Sequence, residues 1–267
     1  MPVAGSDPVA SDVAPRDLRR VSIRVPTAEA EIARALLLEL APVGFEEVED
    51  SGWVELAAYT DEWNEGRIRA AFAQVSATPV EPGWEDRWSA FHRPVRVGGL
   101  WIGPPWEPSP DDEPAVVVDP GRAFGTGAHS TTRACIELLA DHEPGSMLDA
   151  GCGSGVIAVA AARLGFDPVF AVDLDPAAVE AARETARRNG VRVEVRRGDV
   201  LRVQLPAVDL IVANIELRVV EALLARCPSS TAITSGYTAG ETPRVHGWER
   251  VSRLELGGWA TDVFVAK

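Results

Sequence analysis

The chain has 267 residues, 46% of them hydrophobic, which is enough for one large domain or one domain with a smaller companion. Its formal net charge of −14 excludes general binding of nucleic-acid backbone, which needs basic patches; it leaves a basic protein as a suitable partner, although acidity also serves solubility alone. Three cysteines (Cys135, Cys152, Cys227) form no C-x-x-C pair and four histidines (His92, His129, His142, His246) lack metal-ligand spacing, so a reducing compartment is expected, with neither a disulfide scaffold nor a bound metal.

Residues 1–17, MPVAGSDPVASDVAPRD, have no basic start and no apolar centre, so no signal peptide is expected and the composition reads as a disordered leader. No run approaches the roughly 18 apolar residues of a membrane span. A cytoplasmic protein without membrane contact is expected.

Residues 18–25 alternate as a strand, and Pro26-Thr27 opens a helix over 28–40 that Pro42 and Gly44 break. Residues 45–49 and 53–58 read as strands joined at the turn Asp50-Ser51-Gly52. A second helix is expected over 61–75 and a short strand over 77–80. This β-α-β-β-α-β order predicts a small ferredoxin-like α+β module over residues 18–80, with no catalytic constellation.

Residues 81–115 change character. Trp84, Trp88, Trp101 and Trp106 are crowded among prolines. Such a stretch is either an aromatic binding surface or, as favoured here, a stiff connector between neighbours. The third part, 116–267, opens on DPGRAFGTGAHSTT, a glycine-rich loop running into a helix, with Ser130, Thr131 and Thr132 placed to cap its exposed N–H groups.

The stretch that organises the rest is 147–175, MLDAGCGSGVIAVAAARLGFDPVFAVDLD. It reads strand, glycine turn, helix, strand, acid, the pattern by which an α/β sheet holds a nucleoside at the carboxyl ends of its strands. A dinucleotide fingerprint would need a small residue at the sixth position and a helix N-terminus aimed at pyrophosphate. Here that position is Val156, and Gly151, Gly153 and Gly155 alternate, with Asp149 two residues before the first. This spacing suits S-adenosylmethionine (AdoMet), which has no phosphate. Asp173, at the end of the next strand, is placed to accept from the two ribose hydroxyls. Further along, Asp175-Pro176 opens a helix over 177–188, residues 191–196 alternate as a strand, and Asp199 follows where it can accept from an adenine amino group. The run 208–213 is another strand, finishing on Asn214. A helix over 216–227, a strand over 231–235 and a hairpin turning at Gly257-Gly258 close the chain. Five βα units and that hairpin predict a doubly wound, mostly parallel seven-stranded sheet with an antiparallel last strand.

In the order AFGTGAHSTT, LDAGCGSG, VDLDPAAVEAARETARRNGV and DLIVANI, these segments resemble the ribosomal protein L-eleven methyltransferase family, the PrmA type. The likeness covers about residues 84–267. LDAGCGSG is general to class I AdoMet-dependent methyltransferases, whereas AFGTGAHSTT with ANI is specific. The resemblance implies methyl transfer from AdoMet to lysine and N-terminal amino groups of a basic ribosomal protein. It implies AdoMet contacts from Thr132, Gly151, Asp173 and Asn214, with Phe124 in the loop over the cofactor. It also implies a substrate-recognition role for residues 18–80. Ser130 stands where the family has proline, and Glu216 follows the Asn-Ile pair where small or apolar residues are usual. The expected site is therefore Asn214 for catalysis, with Phe124, Thr132, Asp149, Gly151, Gly153, Gly155, Asp173, Asp199 and Asn214 around the cofactor, in a monomer. Methylation of another protein's lysine, of a glutamine or of a small amine, and a non-catalytic AdoMet-binding scaffold, are the rival readings. Asn214-Ile215-Glu216-Leu217, in place of the N-P-P-Y of glutamine enzymes, argues against the first.

Overall fold

The computed structural model describes residues 19–41, 45–50, 52–60, 62–80, 93–119 and 127–267. The chain divides into two compact units, Met1–Pro82 and Gly83–Lys267.

The smaller unit runs β1 (Arg19–Pro26), α1 (Ala30–Leu40), β2 (Phe45–Asp50), β3 (Trp53–Thr60), α2 (Glu62–Ala71) and β4 (Val75–Pro79). Its sheet has the order β2-β3-β1-β4, with every neighbouring pair antiparallel. The core forms because Val21 and Ile23 alternate on β1, Val54, Leu56 and Ala58 alternate on β3, and Ala30, Ala33, Leu37 and Leu40 recur at helical spacing on α1. The element order is the expected one, but the second helix is shorter. It ends at Ala71, and 75–79 is an edge strand paired with β1 from Ile23↔Val75 to Arg19↔Pro79. Val75 and Ala77 alternate onto the core, a period-2 pattern that a helix could not satisfy.

The larger unit corrects the expected connector. Within 81–115, residues 95–97 (β5) and 100–103 (β6) form a hairpin, and β7 (Ala115–Val117) adds in parallel to β6. The two-residue turn is Gly98-Gly99, at φ 57° and 72°, the left-handed pair that matches strand twist. Val97, Leu100, Ile102, Val116 and Val118 join the main core of this unit, so this stretch is part of the domain. Asn189 ties it down: its Oδ1 accepts from Val117 N–H and its Nδ2 donates to Val117 O, both at 2.7 Å.

Next come α3 (Ser130–Ala140), β8 (Met147–Ala150), α4 (Val156–Arg163), β9 (Val169–Asp173), α5 (Pro176–Arg188), β10 (Glu194–Arg197), β11 (Leu210–Asn214), α6 (Leu217–Leu224), β12 (Thr231–Thr238), β13 (Trp248–Leu256) and β14 (Trp259–Ala266). The seven-stranded sheet has the order β10-β9-β8-β11-β12-β14-β13, parallel except that β14 runs antiparallel to both its neighbours. Of the five expected βα units two lack a helix: 198–209 connects β10 to β11 and 239–247 connects β12 to β13 without one. The central strands are apolar on both sides because both faces are covered. Met147, Ala171, Leu210, Val212 and Ile233 face the core under α3, α4 and α5, and Leu148, Val172, Ile211, Ala213 and Ala232 face the other side, where α6 packs. No helix among the described residues is long and apolar enough to cross a membrane.

Candidate active site

Strand order reverses between β8 and β11, so the crevice of the sheet opens at the carboxyl ends of these two strands. From β8 the chain turns through Gly151, Gly153 and Gly155, at φ 78°, 51° and 78°, values that residues with a Cβ rarely adopt. Gly151 and Cys152 N–H groups both donate to Val172 O, at 2.8 and 3.2 Å, which ties the turn to the end of β9. A Cβ on Gly151 would lie 2.3 Å from Ile215 Cγ2, and one on Gly155 would lie 2.8 Å from Ala182 Cα. The turn is thus pressed between the residue after β11 and helix α5.

Asp173 ends β9 and is half-buried. Its Oδ2 accepts from Gly153 N–H and its Oδ1 from Asp175 N–H, each at 2.9 Å. Both oxygens retain a further lone pair, so the fixed carboxylate is a two-point acceptor of the kind a vicinal diol fits. Gly198 N–H donates to Asp173 O at 2.8 Å, which brings the loop after β10 beside it. Asp199 in that loop accepts from Leu201 N–H at 2.9 Å and pairs with the exposed Arg202, Nε to Oδ2 3.1 Å.

Asp149 has a different place from the cofactor-facing one expected. It is 1% exposed, and its Oδ2 accepts from Ala158 N–H at 3.1 Å, in the first turn of α4. Its Oδ1 is buried without a hydrogen bond. Val156 N–H is taken by Ser154 Oγ at 3.3 Å. Two of the N–H groups that a pyrophosphate would need at this helix start are therefore occupied from within, one by a carboxyl group. Burial pushes the Asp149 carboxyl up to about 7; the Ala158 N–H opposes this and the charge of Asp173 adds to it. A carboxyl whose folded-state value lies above its unfolded value near 3.8 contributes stability that is fully present below that value and is lost as pH rises through about 7. Asp149→Asn keeps the acceptor for Ala158 and removes the charge. The variant is expected to gain stability relative to the parent between pH 4 and 7.5, by roughly 1–3 kcal/mol at the upper end. Denaturant titrations across that range check this, and a pH-independent difference would exclude it.

On the other side of the crevice stands the start of α3. Its N-cap is His129, which takes the role expected of the hydroxyls: Nδ1 accepts from Thr131 N–H at 3.3 Å. Thr131 and Thr132 are both 1% exposed and turn inward instead. Asn214 Nδ2 donates to Thr131 Oγ1 at 3.0 Å and to Thr132 Oγ1 at 3.4 Å. The N-cap of α6 is Glu216, exposed and without a side-chain cap bond, so Asn214 does not cap that helix. The loop and the strand end that carry the specific motifs are joined through these side chains. Phe124 lies outside the described residues. His129, Thr131 and Ile215 belong to this constellation although residue-type patterns had not singled them out as site residues; the spacing His-x-Thr, a side-chain acceptor two residues before an N–H, was the available signal.

A sheet with this switch point, an alternating glycine turn and an acid ending the second strand defines a class I methyltransferase fold. The family model "Ribosomal protein L11 methyltransferase (PrmA)" matches residues 47–259, and the chain belongs to that family. A protein named ribosomal protein L11 methyltransferase from Escherichia coli O8 is 36% identical over 220 residues, 76% of this chain and 71% of that protein. One of the same name from Symbiobacterium thermophilum is 47% identical over 149 residues, 54% of this chain and 49% of that protein. The chain spans about half the length of several curated relatives it matches. The crystal structure of ribosomal protein L11 methylase from Lactobacillus delbrueckii subsp. bulgaricus superposes with a TM-score of 0.57 at 27% identity, over 63% of this chain and 95% of that one.

Proposed function

We propose that this chain transfers methyl groups from AdoMet to amino groups of a ribosomal protein of the L-eleven type, at lysine side chains and the N-terminal amine. The observation that carries this reading is the Asn214 amide, tethered through Thr131 and Thr132 at the mouth of the crevice beside the glycine turn. The residues fit AdoMet better than a dinucleotide. The Asp173 carboxylate is set for two ribose hydroxyls, and the first turn of α4 has its N–H groups filled by Asp149 and Ser154. Bound in the crevice, AdoMet supplies a methyl group on an already activated sulfonium. Asp173 would anchor the ribose, Asp199 would take the adenine amino group, and Gly151 and Gly153 would let the backbone pass close to the cofactor. Asn214 Oδ1 accepts an N–H of the incoming amine and so aims its lone pair. Asn214 cannot take a proton, so the amine must arrive neutral, against a reference lysine value of about 10.4; desolvation on entering the crevice favours that form. The unit 1–82, with no cofactor motif, is the part assigned to recognising the protein substrate.

Incubating the chain with labelled AdoMet and ribosomal proteins, followed by mass spectrometry, should place the label on amines of the L-eleven-type protein. Label elsewhere, or none, overturns the substrate. Hydrogen exchange should slow within residues 19–80 when that protein is added. Asp173→Ala is expected to weaken AdoMet binding at least about tenfold, since each charge-assisted hydrogen bond lost contributes about 1.5–3 kcal/mol. Calorimetry reads this directly, and an unchanged affinity removes Asp173 from the site.

A further inference from the structure

We propose that His129 is a positioning residue for methyl transfer: acting through Thr131, it fixes which way the Asn214 amide faces. This rests on the role given to Asn214 above.

The argument is an accounting of protons. Thr131 N–H points at His129 Nδ1, 3.3 Å away, so that nitrogen is an acceptor. Thr131 Oγ1 lies 2.7 Å from the same nitrogen, and an acceptor there requires the hydroxyl to donate. With its single proton spent, Thr131 Oγ1 can only accept from Asn214, 3.0 Å away. The atom of Asn214 turned to Thr131 must then be Nδ2, which leaves Oδ1 as the outward acceptor. If the ring instead carried a proton on Nδ1, Thr131 could donate to Asn214, and the amide could turn over to present N–H groups to the crevice. Such an amide would repel an amine's N–H instead of receiving it. One ring nitrogen, two residues before Thr131, thus decides whether the site offers an acceptor or a donor.

Burial lowers the His129 value to about 4, so the ring is neutral at ordinary pH, and of the two neutral tautomers only the one with its proton on Nε2 lets Nδ1 accept from Thr131 N–H. The Trp259 ring meets it edge-on, with centroids 5.3 Å apart at 68°. The hairpin carrying Trp259 is close-fitting here: a Cβ on Gly257 would lie 2.6 Å from Ser130 Oγ. An N-cap alone would not call for histidine, since serine, aspartate or asparagine serves as well.

The test uses the whole chain. Asparagine occurs three times, at Asn64, Asn189 and Asn214, so selective ¹⁵N-asparagine labelling gives three side-chain amide pairs in the parent and a fourth, from position 129, in His129→Asn. His129→Ala should shift the Asn214 amide pair in the ligand-free protein, and His129→Asn, whose Oδ1 takes the place of Nδ1, should return it towards the parent position. Turnover should fall on the order of tenfold in His129→Ala with little change in KM for AdoMet, and should be largely restored in His129→Asn. In the Asn214→Ala background, His129→Ala should cost less than about twofold further, because residues acting through one group are not additive. Additive losses, or an Asn214 amide pair that keeps its shifts in His129→Ala, overturn the positioning role. A parent chain that methylates no amine sinks the activity proposed above, while the amide shifts still decide the hydrogen-bond chain by themselves.

Discussion

Asn214→Ala is expected to lower the rate of methyl transfer on the order of a hundredfold while leaving AdoMet affinity within about threefold. The expectation follows from what Asn214 touches. Its Nδ2 is committed to Thr131 and Thr132, and its Oδ1 has no hydrogen bond among the described residues. Asp173, the AdoMet anchor proposed above, sits on β9, on the far side of β8 from β11, and is held by Gly153 and Asp175 independently of Asn214. Removing the amide therefore loses orientation of the amine and leaves the cofactor's anchor untouched. A methyl transfer to an amine has little other assistance to lose, since the leaving group is already activated and the Asn214 amide cannot itself take a proton. Single-turnover kinetics at saturating AdoMet separate the two quantities. A parallel loss of affinity and rate would mean that Asn214 serves the cofactor instead, and an unchanged rate would remove it from the chemistry.

The second large effect is structural. Gly236→Ala is expected to destabilise the larger unit by at least about 3 kcal/mol, with loss of activity as a consequence. Gly236 has φ 97°, and a Cβ there would lie 2.2 Å from Ile215 O, 2.7 Å from Ile215 C and 2.9 Å from Ile215 N. The obstacle is backbone, and it cannot yield easily: Ile215 N–H donates to Ser235 O at 3.1 Å, and Ile215 Cγ2 already fills the space over Gly151. Ile215 is clamped between two glycines at positive φ, and the clamp fixes the Asn214 that precedes it. Gly190 offers the contrast. It also has positive φ, 62°, but open space around its Cα, so Gly190→Ala should cost only about 1 kcal/mol. Thermal or denaturant unfolding of the two variants compares a steric clash with a purely conformational cost. Equal losses would mean that Ile215 moves aside freely.

Much of this was legible in the chain itself. The alternating glycines, the acids ending β9 and following β10, and the apolar runs of β8, β9 and β11 each report a local requirement, and each landed where its pattern placed it. Several of the misplaced readings gave a residue type its commonest local use when another partner had claimed it. The hydroxyls of Thr131 and Thr132 suit a cap, yet Asn214, more than 80 positions later, takes them. Asp149 precedes the glycine turn as a ligand-facing acid would, yet Ala158 and the interior hold it. The 95–103 hairpin was hidden by the prolines and tryptophans around it, although Gly98-Gly99 between two β-branched or aromatic runs was a clear turn signal. Asn189 reads as the end of a helix, and nothing near it in sequence announces that it pairs with both backbone groups of Val117.

The strand order β12-β14-β13 carries a consequence for how the protein comes to be built. On the ribosome β13 emerges before β14, yet it lies outside it and has no place in the sheet until β14 has docked. β13 and β14 are joined by the turn at Gly257-Gly258 and can pair with each other first, so the edge of β12 waits open until that hairpin docks. Trp259, the ring set against His129, arrives on that late strand. The glycine turn and Asp173 can thus be in order in a half-finished chain while the corner around His129 is still without the ring that packs on it.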